Sequence, residues 1–335
     1  MGPESSKRTE QQNNPGLSRH PFRIEPGAVF AKRYTLQQRI AEGSMADIWL
    51  ARNEQNIRVA LKIIHTDVHG ERKIQEKALI GEAAVFQRIY QGEDSVFPKM
   101  FEHDVFKSWR YIAIEYIEGE TLDALIHDMG RKKIPFCRAL EICMSVLNGL
   151  GSMHDQGLIH RDLKPANIMI GNNKKVWLID FDLTVGAGHV CEEGGVEGTP
   201  AYMSPEQTAN LPLDHRSDIY SLGLTMYEMI TRKNPMNTKN PYSVFLNQQT
   251  KPMPEIEIKA VGERFKVKPG NRFLVRIRDY FLGRKVEKLH AALNNLIQGM
   301  TRKDREKRFG NIDEILVQME KAKNIAEKLA KYEII

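Results

Sequence analysis

His160-Arg161-Asp162-Leu163-Lys164-Pro165-Ala166-Asn167 is followed, thirteen residues after its asparagine, by Asp180-Phe181-Asp182 at the end of a strand-like run, Val176 to Phe181. Asp162 is an acid that can take up a proton. Asn167 and Asp180 offer hard oxygen atoms of the kind that hold a divalent cation. A turn that serves only to reverse the chain needs no proton acceptor, ammonium and amide at set offsets, so this stretch points to chemistry.

Size and composition set the frame. The chain has 335 residues, 41% hydrophobic and 27% charged, enough for two moderate lobes or one large domain. Its three cysteines, Cys137, Cys143 and Cys191, form no CxxC pair, which argues against a zinc or disulfide framework and fits a reducing cytosol. No apolar run reaches bilayer-spanning length. The net charge is +6, and residues 251–288 account for it, with eleven Lys or Arg against five acids. Residues 1–28 form a polar opening expected to be a disordered tail.

From Tyr34 the chain reads as strands around the turn Ala41-Glu42-Gly43-Ser44-Met45-Ala46, then Ile48-Trp49-Leu50-Ala51. Val59-Ala60-Leu61-Lys62 ends an apolar strand on a lysine. Ala78, Leu79, Ala83, Phe86 and Ile89 recur at helical spacing and predict a helix over 73–90 that carries two candidate partner acids, Glu76 and Glu82. Two more strands are expected at 97–106 and 109–117, and a long helix over 136–156 that stops at Gly157. Further on stand Gly198-Thr199-Pro200-Ala201-Tyr202-Met203-Ser204-Pro205-Glu206, Arg216-Ser217-Asp218 and Asp304-Arg305-Glu306-Lys307-Arg308-Phe309.

These motifs, in this order and at these distances, resemble the eukaryotic-type (Hanks-type) Ser/Thr protein kinases over roughly residues 30–320. The Glu-Gly-Ser-Met-Ala-Asp turn and the Met-Ser-Pro-Glu sequence look most like bacterial members. The resemblance implies an α+β, bilobal fold. Its β-rich N-lobe, with one helix, would span 29–116 and its mainly helical C-lobe 117–325, with 326–335 a helical end. It implies ATP and Mg²⁺ as cofactors, Mn²⁺ being an alternative ion, and transfer of the γ-phosphoryl group to Ser or Thr hydroxyls of protein substrates. Asp162, Lys164 and Lys62 would be catalytic. Ile40, Gly43, Ile48, Ala60, Lys62, Glu82, Glu115, Ile117, Asn167 and Asp180 would bind the nucleotide, with Ile114 as gatekeeper and Asn167 and Asp180 on the metal. Glu82 is preferred to Glu76 as the Lys62 partner because it precedes Ala-Ala-Val-Phe-Gln-Arg-Ile, the register of the family's glutamate. Thr199 would bond the loop near Asp162 and Lys164, Glu206 would pair with Arg308, and Asp218 would hold the His160–Arg161 backbone. Lys164 marks the Ser/Thr form of the loop.

Four features depart from that pattern. The Gly-rich loop keeps only Gly43, with Ala41 and Ala46 in the outer places. Asp182 stands where the family has glycine, which is expected to restrict flipping of the metal turn and to add negative field near the ion. Between Asp182 and Gly198 the only hydroxyl residue is Thr184, while Glu192, Glu193 and Glu197 supply charge. Arg161, which in relatives meets a loop phosphate, would then meet a carboxylate, and activity would not need phosphorylation there. Finally, Phe265 to Arg278 alternates apolar with basic around Pro-Gly-Asn and reads as a hairpin within a basic insert, 251–287, with helix resuming at Val286. That insert suits an acidic protein partner better than nucleic acid, though a solvated basic face explains it as simply. The alternatives to a protein kinase are a pseudokinase or nucleotide-binding scaffold, favoured by the altered loop and Asp182, and a small-molecule phosphotransferase, disfavoured by the Thr199 and Ser-Pro-Glu segment.

Overall fold

A computed structural model describes residues 23–42, 46–64, 72–90, 92, 94–107, 109–131, 133–190, 197–256 and 272–331. Six strands, β1 (Val29–Phe30), β2 (Tyr34–Glu42), β3 (Ala46–Arg52), β4 (Arg58–Ile64), β5 (Met100–Phe106) and β6 (Trp109–Glu115), form one antiparallel sheet in the order β1-β2-β3-β4-β6-β5. Helix α1 (Arg72–Ile89) lies between β4 and β5 in the chain.

The two-residue period of β4 decides where Lys62 goes. Val59, Leu61 and Ile63 point into an apolar layer with Phe30, Leu36, Trp49 and Tyr111, whose ring meets that of Phe30 edge-on at 5.1 Å. Ala60, Lys62 and Ile64 therefore point to the opposite face. There Ile64 packs with Leu79 and Ala83 of α1, and Lys62 stands between Ile64 and the cleft. A lysine one residue earlier or later would be buried in the apolar layer.

The second half is mainly helical: α2 (Leu122–His127), α3 (Phe136–His154), α4 (Pro205–Thr208), α5 (Arg216–Thr231), α6 (Pro241–Thr250), α7 (Arg272–Met300) and α8 (Ile312–Ala330). Short strands complete it. β7 (Gly119–Thr121), β9 (Ile168–Gly171) and β10 (Val176–Leu178) form one small sheet, and β8 (Leu158–Ile159) pairs with β11 (Val185–Gly186). Every residue of α5 from Ser217 to Ile230 is buried, polar residues included: Asp218 bonds the His160–Arg161 backbone, Ser221 the Tyr202 carbonyl and Glu228 the Tyr202 hydroxyl. One apolar core runs from Val85, Phe86 and Ile89 of α1 through α3 and α5 to Ala326 and Leu329 of α8. The result is the bilobal α+β architecture of a protein kinase, a sheet lobe with one helix above a helical lobe.

Three expectations change. The segment 272–278 is not the second strand of a hairpin. It forms the first turns of α7, so helix begins well before Val286. The apolar positions of this run also satisfy helical spacing, and they continue without a break into buried Leu282, Val286, Leu289 and Leu293. Once those residues are helical, propagation through 272–281 needs no new nucleus. The strand expected from Val176 to Phe181 ends at Leu178, because Asp180 takes a left-handed conformation. Of the tail expected over 1–28, residues 23–28 are described and held to the sheet, with Gly27 N–H donating to the Leu36 carbonyl at 2.8 Å and Ile24 packed against the apolar layer; residues 1–22, Gly43, Glu192, Glu193, Cys191 and the first arm of the expected hairpin, 265–271, lie outside the described residues. Among the described residues no helix is long and apolar enough to cross a membrane.

Candidate active site

The loop between β8 and β9 has a backbone that must be held in place. Arg161 has φ +69° and Asp180, on the facing segment, φ +68°. Left-handed backbone costs a residue with a side chain about 1–2 kcal/mol, and such conformations persist where surrounding bonds over-determine them. Here they do. Asp218, fully buried at the start of α5, accepts the backbone N–H of His160 and of Arg161, each at 3.0 Å, and its Oδ2 lies 2.8 Å from His154 Nε2. Gln207 donates to the Arg161 carbonyl at 2.8 Å. Asp218 of α5 and Gln207 of α4 thus form a clamp from two helices onto one turn.

That clamp aims the polar side chains. Asp162 accepts the Thr199 N–H on Oδ1 at 3.0 Å, and the Lys164 ammonium on Oδ2 at 2.5 Å. Lys164 also donates to the Thr199 hydroxyl at 2.7 Å. Asn167 directs its amide nitrogen at the Asp162 carbonyl (2.9 Å) and at Asp162 Oδ2 (3.1 Å). Both amide hydrogens are used, so the atom that Asn167 can offer a cation is its oxygen.

Across the cleft, Lys62 meets Glu82 of α1 at 2.9 Å, Asp182 at 2.5 Å and Asp180 at 3.4 Å. Glu82 also accepts the Phe181 N–H at 3.3 Å. The Phe181 ring is packed edge-on against Phe86 (5.1 Å) and Phe97 (5.7 Å) and tilted against His160 (5.3 Å), which fixes the turn carrying Asp180 and Asp182. Burial by itself would lower the Lys62 pKa, but the charges of Glu82, Asp180 and Asp182 outweigh it and hold it above the ordinary lysine value. Burial pushes the Glu82 carboxyl up, against the pull of Lys62. For Asp180 burial pushes the same way, but the Lys62 charge outweighs it and the carboxyl stays below its usual value. Oxygens of Glu82, Asp180 and Asp182 lie within 4.8 Å of one another. Together with the Asn167 oxygen they make a hard, oxygen-only donor set, which fits Mg²⁺ or Mn²⁺ and not a thiophilic metal.

These groups line a cleft of about 550 Å³ between sheet and helices. Ile40, Ile48, Ala60, Lys62, Glu82, Ile114, Glu115, Ile117, Asn167 and Asp180 all border it, so the structure brings together every expected nucleotide-site residue that it describes. Glu76 is on α1 but does not border it. Sequence reasoning missed the opposite wall, Met169 and Ile179, which flank Asn167 and Asp180 by two residues and one residue. Alternation along β9 was the available signal for Met169.

Two buried acids away from the cleft set a pH dependence. Burial would raise the Glu206 carboxyl, but bonds from Arg308 hold it below its usual range, and His154 does the same for Asp218 against its own burial. A carboxylate with a depressed folded pKa contributes stability that is fully present above the unfolded value of about 4, and lost as pH falls through the folded value. The melting temperature is therefore expected to be flat with respect to these two groups above about pH 5 and to fall below about pH 4. A thermal melt series in Glu206→Gln should show a shallower acid limb; an unchanged limb would remove Glu206 from the account.

Comparison with known proteins agrees with this geometry. The protein kinase domain family model matches residues 34–320. Serine/threonine-protein kinase PksC of Streptomyces coelicolor is 32% identical over 65% of this chain and 40% of its own length. A probable serine/threonine-protein kinase of Clostridium perfringens is 28% identical over 89% of this chain and 39% of its own. PknB of Mycolicibacterium smegmatis is 33% identical over 63% and 34%. The chain thus spans about two fifths or less of the length of these curated relatives. With a clamped His-Arg-Asp turn, a Lys62–Glu82 pair across the cleft and a family match over nearly all of its described length, the chain belongs to the protein kinase family, in its Hanks-type Ser/Thr branch of bacterial type.

Proposed function

We propose that this chain transfers the γ-phosphoryl group of ATP to Ser and Thr hydroxyls of other proteins, in the reducing, ATP-supplied cytosol. The observation that carries the proposal is the Asp162–Lys164–Thr199 cluster, in which a carboxylate and an ammonium share one spot that is bonded, through Asn167, to the wall of the cleft. In the reaction a substrate hydroxyl oxygen forms a bond to the γ-phosphorus, the bond from that phosphorus to the β,γ-bridging oxygen breaks, and ADP leaves. Asp162 orients the hydroxyl and takes its proton. Lys164 neutralises charge on the transferred group, where electrostatics contribute most. Lys62, positioned by Glu82, holds the α- and β-phosphates, and Glu115 and Ile117 supply backbone groups to the adenine. Asn167 and Asp180 would hold a divalent ion, Mg²⁺ or Mn²⁺, which would supply positive charge to the phosphates. Phosphoamino-acid analysis tests the class: a protein substrate incubated with the chain, ATP and Mg²⁺ should yield phosphoserine or phosphothreonine. Phosphotyrosine, or label only on small molecules, would refute it.

The activation segment is proposed to need no phosphate. Arg161, buried beneath the loop, lies 3.3 Å from Glu197, and the Thr184 hydroxyl is buried. Phosphatase treatment is therefore expected to leave activity unchanged, whereas Glu197→Lys should lower it. A drop after phosphatase that maps to a phosphosite within 183–197 would overturn this.

A further inference from the structure

Asp182 is the one residue of the metal turn that the kinase reading does not use, and it makes the shortest contact in the cleft. An ammonium has three N–H donors. Lys62 spends them on three carboxylates: Glu82 at 2.9 Å, Asp182 at 2.5 Å and Asp180 at 3.4 Å. No donor is left over for a phosphate oxygen. One carboxylate must leave before Lys62 can hold a nucleotide, and the three are not equally free to go. Glu82 is 3% exposed, anchored on α1, and also bound to the Phe181 N–H. Asp180 is the more exposed of the two turn acids, 39% against 18%, and makes the longest of the three contacts, but it is set in left-handed backbone next to the buried Phe181 ring and is the residue expected on the cation. Asp182 lies past that ring and, like Asp180, borders the cleft.

The charge balance points the same way. Three carboxylates face one ammonium, so the pocket that must accept a polyanion carries excess negative charge before the polyanion arrives. Removing Asp182 would leave Lys62 with Glu82 and Asp180 and one free donor. We propose that Asp182 is a specificity-determining latch: it occupies the Lys62 ammonium in the place of a nucleotide phosphate, and gives it up only when a divalent cation enters with the nucleotide. The latch makes nucleotide binding strongly conditional on the metal, so that metal-free ATP or ADP is rejected. This inference rests on the ATP reading above and adds to it which form of the nucleotide the site admits.

The physical driver is Coulombic. One fewer carboxylate close to the phosphates, at an intermediate effective dielectric, favours a bound polyanion by about tenfold or more. A divalent cation achieves the same relief without a mutation, by attracting the Asp182 carboxylate and the phosphates together. Asp182→Asn keeps the size of the side chain and removes its charge; Asp182→Gly removes the side chain altogether.

The test is equilibrium binding of a fluorescent ADP analogue to the wild-type chain and both variants, in EDTA and in excess Mg²⁺, with thermal melts to confirm folding. The wild type is expected to bind well only with Mg²⁺. Both variants should gain about tenfold or more in affinity in EDTA, so that the ratio of the two dissociation constants shrinks by that factor. An unchanged ratio in folded variants, or weaker metal-free binding by them, would overturn the latch. Tight Mg²⁺-dependent binding by the wild type with an unchanged ratio leaves the kinase reading standing while the latch falls. Absence of binding by all three chains in both conditions would overturn the kinase reading, and the latch with it.

Discussion

Asp162→Asn is expected to lower the rate of phosphoryl transfer by about 10²–10⁴-fold, the range for a positioned general base, with nucleotide affinity little changed. Asparagine keeps the shape and still offers an oxygen to the Thr199 N–H, which Asp162 accepts at 3.0 Å. It loses the proton-accepting charge and the charge that holds Lys164 at 2.5 Å. Asp162 does not border the nucleotide cleft, whereas Lys62, Glu82 and Asp180 do. The variant should therefore separate a fallen kcat from an intact dissociation constant for nucleotide. Equal losses in both would mean that Asp162 supports the fold of the loop and not the reaction.

Arg308→Ala is expected to be the most destabilising single change. The guanidinium donates to Glu206 through two nitrogens, at 2.7 and 3.0 Å, and to the carbonyls of Arg216 (2.6 Å) and Arg302 (3.0 Å). Neither side chain is solvated, at 0% and 4% exposure. Truncation leaves the Glu206 carboxylate buried with, among the described residues, Ser217 as its remaining side-chain partner, and two backbone carbonyls lose the Arg308 donor. Breaking a buried pair in this way costs about 3–5 kcal/mol, which lowers the melting temperature by on the order of 10 °C in a protein of this size. The double variant Glu206→Met/Arg308→Leu supplies the control. It removes both charges and is expected to recover part of the loss, because the unpaired carboxylate, and not the missing attraction, carries most of the cost. A single variant that melts within 2 °C or so of the wild type would show that the pair is not holding the segment after Thr199 to the helical lobe.

What was legible in the sequence depended on how local the signal was. Lys62 was readable because it ends an apolar strand, Val59-Ala60-Leu61-Lys62, that resembles the family's lysine strand, and α1 was readable because its apolar stripe repeats at helical spacing. The family motifs then identified pairs that no local rule connects, such as Asp218 with the His160–Arg161 turn and Glu206 with Arg308. The structure adds the distances at which they meet. The start of α7 was misread because its first apolar residues fit both a two-residue and a helical period, and the downstream core resolves the choice. Met169 and Ile179 were missed because a cleft wall is a three-dimensional surface assembled from two segments. Asp182 was recognised as out of pattern, yet its contact with Lys62 could not be read, since 120 positions of sequence separate the two. The departure from the family was visible in the residue type, and its consequence only in the geometry.

The central claim is that this cleft and loop transfer a phosphoryl group. The most direct measurement is incubation of the purified chain with γ-labelled ATP, Mg²⁺ and a generic protein substrate, beside the Asp162→Asn variant. The account predicts label on Ser or Thr of the substrate with the wild-type chain, and a loss of about two orders of magnitude or more with the variant. Nucleotide bound by both chains with no label transferred by either would contradict it, and would make the protein a nucleotide-binding scaffold.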